Sequence, residues 1–334
     1  FLAALPLWGA EPLHRDIDRL ILQKAGMHKP SALADDAEFF RRAQLDLSGR
    51  IPTAEETRSF LADKTSDKRA KLIDRLLAAP EYAKRMTEAF HIMFMERLGD
   101  NPEWSTYLRA SFEKNKHWDV LAKEVLRADY TDKNAAGASF FISKRLEHYG
   151  QNPVDYPALA RDIGRLFLGK DLRCAQCHDH LFIDDYKQQD FQGIFAFVQN
   201  TAIVGEKSLQ VIEKPTTAKT PFMSVFKKIP KETGPALPGG KEFEIPVFKK
   251  GEEFVKAPDP KTKTPGIPKF STLALLSEQL PQKTNADFAK NIVNRLWFIV
   301  MGRGLVHPLD LQHSGNPASH PELLELLAKE IVAH

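Results

Sequence analysis

Cys174-Ala175-Gln176-Cys177-His178 holds both cysteines of the 334-residue chain, with a histidine directly after the second. Two thiols three residues apart lie on one side of a helical turn, where each can form a thioether with a haem vinyl group. The next residue then brings an imidazole nitrogen to the iron from the same side. The motif therefore reads as a covalent haem c attachment site: Cys174 and Cys177 anchor the haem and His178 is the proximal iron ligand. Three other uses of these residue types stand beside it. Cys174, Cys177, His178 and His180 could hold a structural zinc, although structural zinc sites usually draw on two separated ligand pairs. A Cys-x-x-Cys redox disulfide expects a preceding strand in a βαβ unit, whereas the segment before Cys174 reads as helix. A plain structural disulfide or a pair of buried thiols is the third use.

Around the motif, Asp179 and His180 are weaker candidates for contact with the cofactor. If residues 177–180 continue a helix, two positions amount to about 200° of rotation, so His180 points away from an iron bound by His178. It would then meet a propionate, support another group or cap the turn. Asp184 and Asp185 either orient His180 or cap the helix that follows. The opposite axial position must come from elsewhere in the chain or stay open. His91, His148, His307, His313 and His320 are possible donors, as are Met86, Met93, Met95 and Met301. Met93 and Met95 fall in an apolar stripe and read as core. His313 in a polar loop and His320 in a capping box are better placed for function, and His148 stays in the set of distal candidates.

The elements that must position this motif are mostly helical over residues 13–200. Asp35 with Glu38, and Thr53 with Glu56, have the form of capping boxes. Leu72, Ile73, Leu76 and Leu77 form an apolar stripe stopped by Pro80. Further stripes run through Phe90, Met93 and Phe94, then Trp118, Leu121, Val125 and Leu126. Pro157 suits the first turn of a helix running from Leu159 to Phe167, ending at Gly169. Ile194, Phe195 and Val198 mark one more helix after the motif. From Ser271 the helical pattern returns. Phe288, Ile292, Val293, Leu296, Trp297 and Val300 form a wide apolar face closed by Gly302, and Ser319-His320-Pro321-Glu322 opens a last helix as a capping box.

Residues 205–270 differ from the rest. They hold 13 Lys, no Arg, 8 acidic residues and 10 of the 22 Pro, for a net charge of +5. Lys241–Ile245 and Val247-Phe248 read as short strands in a Pro/Lys-rich loop or small β insertion. The expected fold is thus mainly α: a helical domain with the motif over 11–204, the insertion or linker over 205–270, and the start of a second helical domain over 271–334. Residues 1–10, apolar and ending in small residues, read as the remnant of a signal peptide, which implies a periplasmic, secreted or cell-surface protein. The last helix runs to the end of the sequence, so the second domain is expected to be truncated.

Composition narrows the function classes. A hydrophobic fraction of 43% with 27% charged residues is ordinary globular composition, and a formal charge of +3 gives no argument for nucleic acid. No apolar run reaches the roughly 18 residues that a membrane-spanning helix needs.

Several motifs in order carry a family resemblance. They are Ile17-Asp18-Arg19-Leu20-Ile21, Arg41–Thr53, Leu76–Tyr82, and Arg161–Gly169 running into Cys174–His180. After the insertion come Asn291–Trp297, Gly302–Val306 and Asn316–Leu324. Together they resemble the planctomycete-type cytochrome c-associated proteins, in which domain of unknown function 1549 is followed by domain of unknown function 1553. His180 is followed here by Leu181, where proline is common in the family. The resemblance implies an exported protein of cytochrome c character, in a family whose biochemical role is largely unassigned.

Two readings follow. The first is an exported c-type haem protein that transfers electrons, or performs haem-dependent redox chemistry, with a partner protein or small molecule. The second is a non-catalytic envelope protein with zinc or a disulfide at the motif, touching a polysaccharide or other envelope polymer through 205–270. A hydrolase acting on such a polymer has neither a paired-carboxylate motif nor a nucleophile elbow to support it.

Overall fold

The computed structural model describes residues 12–26, 30–148, 150–205, 208–262 and 264–334. The segment 1–10, read above as a leader remnant, lies outside them. The described residues are mainly helical, with thirteen α-helices and six short strands. The N-terminal helices are α1 (Leu13–Ala25), α2 (Asp36–Ser48), α3 (Ala54–Ala62), α4 (Lys68–Leu77), α5 (Pro80–Met95), α6 (Pro102–Glu113) and α7 (Trp118–Arg127). α8 (Phe140–Arg145), α9 (Tyr156–Leu168) and α10 (Gln188–Val198) flank the cysteine motif, and α11 (Thr272–Gln279), α12 (Ala286–Met301) and α13 (Pro321–Ala333) complete the chain.

Local signals account for many of the boundaries. Thr53 Oγ1 accepts from Glu56 N–H while the Glu56 carboxylate accepts from Thr53 N–H, a complete capping box at α3. Asp35 caps α2 by accepting from Glu38 N–H. Gly169 and Gly302 end α9 and α12 in the left-handed region, at φ 66° and 76°. Two expectations change. Pro80 does not merely stop α4; it opens α5 in its first turn, where a missing N–H costs nothing. Ser319–Glu322 is not a capping box: His320 occupies the cap position without a side-chain cap bond, and its Nδ1 lies 3.0 Å from Ser319 Oγ.

The strands also fall elsewhere than expected. They form three separate antiparallel hairpins: β1 (Thr201–Ile203) with β2 (Val211–Glu213), β3 (Thr220–Met223) with β4 (Pro230–Thr233), and β5 (Phe254–Lys256) with β6 (Ile267–Pro268). Residues 241–245 and 247–248, expected as strands, form none. Pro246 has no N–H to give a ladder. Phe243 instead donates its N–H to Pro235 O and packs its ring against Phe197.

The insertion is docked rather than strung between two bodies. Ala236 N–H donates to Gly193 O, where a Cβ on Gly193 would sit 2.6 Å from Ala236 O. Gly239 N–H donates to Asp190 Oδ1, and Gln189 Nε2 to Thr233 Oγ1. Near its start the Glu213 carboxylate accepts from Ser271 Oγ, Thr272 Oγ1 and Leu273 N–H, holding the start of α11.

One core joins the two helical parts. Phe94, Trp104, Leu126, Phe141, Phe167 and Ile194 belong to the same buried cluster as Leu273, Leu276, Phe288 and Ile292. The sequence change at residue 271 is thus a return of helix, not a gap in the core. Two satellite clusters bind α1 to α12 and α13, and α2 to α3 and α4.

Candidate functional site

The motif lies on the loop that leaves α9. Gly169 turns the chain, and Cys174–Gln176 form a single 3-10 turn in which Cys177 N–H donates to Cys174 O. Both cysteines are exposed free thiols. Ala175 between them is fully buried, so the turn is pinned by its middle while the two sulfurs face outward. Gln176 is held from three sides. Arg161 Nη1 donates to its side-chain oxygen at 2.6 Å, and Gln188 Nε2 and Gln192 Nε2 both reach its carbonyl.

His178 is half-buried, and its Nδ1 lies 2.6 Å from Asp179 O. A carbonyl can only accept, so Nδ1 is the donor, and in the neutral imidazole Nε2 carries the lone pair. This is the tautomer of a metal-ready imidazole oriented by a backbone carbonyl. The ring packs against Phe226, centroids 4.7 Å apart.

His180 is committed differently. Residues 177–180 are not helical, so the rotation expected for a helix does not apply. His180 Nδ1 accepts from Phe182 N–H at 3.1 Å and Ile183 N–H at 3.0 Å, which makes it the cap of the 180–183 turn. Asp179 Oδ1 accepts from Gln188 N–H, satisfying one donor at the start of α10. Among the described residues no three His, Cys, Asp or Glu side chains gather as a metal cage. The four-ligand zinc arrangement of Cys174, Cys177, His178 and His180 is not assembled. The segment before the motif is helix, not the strand of a thioredoxin-like unit.

Asp184 and Asp185 were expected to orient His180 or cap α10. Asp185 does neither. Its carboxylate accepts from Ser314 N–H at 2.7 Å and Ser314 Oγ at 2.6 Å, and these bonds hold its pKa below the usual carboxylate range. Beside it, buried Tyr186 donates its hydroxyl to Gln312 O, and burial pushes its pKa up. The His313 ring meets the edge of Tyr186 at 5.7 Å, and the His180 ring lies 6.0 Å from the same tyrosine. His313 thus joins the motif loop.

The other distal candidates are placed elsewhere. His148 Nδ1 lies 3.3 Å from Asn152 O within its own loop. His320 lines a hollow with Leu20, Gln23 and Lys24 of α1. His91 Nδ1 accepts from the indole N–H of buried Trp104. Met86 and Met95 are core side chains, Met93 packs against the same core, and Met301 is exposed.

Two sets of residues escaped the sequence reading. One is an apolar surface beside the motif. Leu181, Phe182, Met223, Val225, Phe226 and Ile229 are all at least half exposed, Phe182 at 90% and Phe226 at 63%. The other is a buried charge network. Arg145 donates to Asp162 Oδ2, Phe94 O and Phe141 O. Arg165 pairs with Asp162 and Glu96. Arg295 of α12 reaches Asp310, Arg165 O and Asn291 Oδ1, while Asn291 Nδ2 donates to Leu166 O. Burial drives the Arg145 and Arg295 pKa values down, and the adjacent carboxylates oppose it. Asn294 clamps the loop after α12 through two bonds with Val306, each 2.9 Å. Arg145 and Asp162 are 17 residues apart and Arg295 and Asp310 are 15 apart, beyond the reach of a local sequence pattern.

Residues 16–203 match the family PSCyt2, described as a protein of unknown function (DUF1549). The chain belongs to the PSCyt2 family. Residues 274–334 match a second family, PSD1, also described as a protein of unknown function (DUF1553). The PSCyt2 stretch contains the cysteine motif and ends with β1, and the PSD1 stretch begins inside α11. The β2–β6 insertion therefore falls between the two matched stretches. No curated protein and no solved structure matches the chain significantly. The Arg145–Arg165–Arg295 network spans both matched stretches and locks the PSD1 helix α12 onto the PSCyt2 helix α9.

Proposed function

We propose that this PSCyt2 chain is an exported c-type haem protein that carries electrons or supports haem-dependent redox chemistry. The observation that carries the reading is the state of three adjacent side chains. Cys174 and Cys177 are exposed free thiols on one turn, and His178 beside them has its Nδ1–H engaged by Asp179 O and its Nε2 lone pair uncommitted. That donor set fits a haem c. Each thiol would add across a vinyl group, sulfur to one carbon and the proton to the other, with nothing released. The bound iron would supply a one-electron couple. The chain's own part is to hold the turn through Ala175 and Gln176, to fix the imidazole tautomer, and to keep apolar surface beside the site. His180, spent as an acceptor for two backbone N–H groups, supports the loop rather than the iron.

Export is part of the same proposal and is supported by the apolar, small-residue segment 1–10. No described helix is long and apolar enough to cross a membrane. The envelope-polymer reading of the insertion gains no support from the geometry: Lys219 pairs with Glu242, and the segment is docked on α10 and α11.

The deciding experiment is a pyridine haemochrome spectrum of protein expressed with the haem c maturation machinery. A haem of one per chain, lost in Cys174→Ser with Cys177→Ser, is expected. Material with no haem, or with stoichiometric zinc instead, would overturn the proposal. Carbon monoxide added to the reduced protein then reads the sixth position: an unchanged spectrum means a protein ligand, with His313→Ala as the first variant to open it.

A further inference from the structure

Resting on the haem reading, we infer that the tip of the β3–β4 hairpin is a cover for the prosthetic group, supplied by the insertion and not by either matched family stretch. The hairpin is bound to the motif at its tip. Val225 N–H donates to Cys177 O at 3.1 Å, and Gln188 Nε2 ties Met223 O and Gln176 O together. Lys227 reaches toward Asp179, Nζ to Oδ2 3.9 Å. The backbone turn from Ser224 to Ile229 is closed by Lys228 N–H on Ser224 O, with Lys228 at φ 52°.

This anchoring delivers apolar side chains to the motif's outer side. Phe226 lies against the His178 ring, and Val225 and Ile229 stand exposed on the same tip. Leu181 and Phe182, two and three residues beyond Asp179-bearing backbone, add apolar surface from the motif loop itself. Exposed aromatic and branched side chains gathered in one place are the mark of a surface made to be covered. A porphyrin has two broad apolar faces, and an imidazole reaches its iron perpendicular to one of them. The tether to Cys177 and the Phe226–His178 contact put the hairpin tip beside that attachment point, which is why the haem is the occupant inferred here. The insertion would thereby limit water access to the iron.

The test is a dye that fluoresces on apolar surface, such as anilinonaphthalene sulfonate, titrated into the full chain with and without covalently attached haem. The haem-free protein is expected to bind several-fold more dye than the loaded protein. Phe226→Ser with Ile229→Ser should lower dye binding to the haem-free form and remove most of the difference. In the loaded form the same pair should lower the midpoint potential, because water reaches the haem. Phe182→Ser is the second, independent variant, with a smaller change in the same direction. Val255→Ser, on β5 and also exposed, is the control expected to change nothing. Two failures are distinguishable. No haem in any preparation overturns the haem reading and this inference with it. Haem present, with equal dye binding loaded and unloaded, leaves the haem reading standing and overturns the cover alone; the patch would then belong to a partner protein.

Discussion

Two regions near the end of α9 are built on opposite terms. On one side of that helix, Arg145, Arg165 and Arg295 are surrounded by Asp162, Asp310, Glu96 and backbone carbonyls, and Arg145 and Arg295 are buried. On the other, the loop 174–183 holds exposed thiols, a half-buried His178 and bare apolar side chains. Both regions contain residues of the stretch that matches the PSCyt2 family. The first pairs its charged groups with one another and with backbone carbonyls. The second leaves thiols, one imidazole nitrogen and apolar surface uncommitted. Residues of the first kind set how the chain folds, and residues of the second kind are where a ligand can act.

Substitutions should separate the two regions, and the largest effect belongs to the buried one. Arg295→Ala leaves Asp310 without its buried partner and frees Arg165 O and Asn291 Oδ1, so a loss of about 3–5 kcal/mol is expected in urea unfolding. A loss near zero would erase the contrast. Asn294→Ala, which orphans the N–H and C=O of Val306, should cost about 1–3 kcal/mol by the same measurement. Asp185 is intermediate, a surface tie between the motif loop and Ser314. Its folded pKa is depressed, so its contribution is present above the ordinary carboxylate range and is lost as pH falls through the depressed value. Unfolding midpoints measured across the acid range should therefore drop less steeply for Asp185→Asn than for the parent. Smallest is Cys174→Ser with Cys177→Ser in haem-free protein, expected to stay within about 0.5 kcal/mol because both side chains are exposed. A large loss there would mean that the thiols are structural.

What could be read from the sequence follows the range of the interactions. Helix caps act over three or four residues, so Thr53 with Glu56 and the glycine stops at 169 and 302 were visible as local patterns. The pair Cys174 and Cys177 with His178 was legible for the same reason, being contiguous. The β3–β4 tip was not, because Val225 finds Cys177 48 positions away along the chain, where neither residue type announces the other. Strands of two to four residues carry too little alternation to register, and the expectation went to 241–248, where the composition was richer in Phe, Val and Ile. For His180 only the helical premise fails: the backbone at 177–180 is a loop, and the ring takes the turn-capping role among those the sequence left open, its Nδ1 accepting from two amide groups. Asp185 and Ser314 lie 129 residues apart, beyond any local pattern.

Glu213 has a consequence for how such proteins can be rearranged over evolutionary time. It sits at the end of β2, outside both matched stretches, and its carboxylate receives three donors from Ser271, Thr272 and Leu273, the residues that open α11 just ahead of the PSD1 stretch. A recombination event that moved that part into another gene without the intervening hairpins would strip the leading turn of α11 of its acceptor. The segment between the two matched stretches is thus held at both sides, by Glu213 on the opening of α11 and by its own anchors on α10.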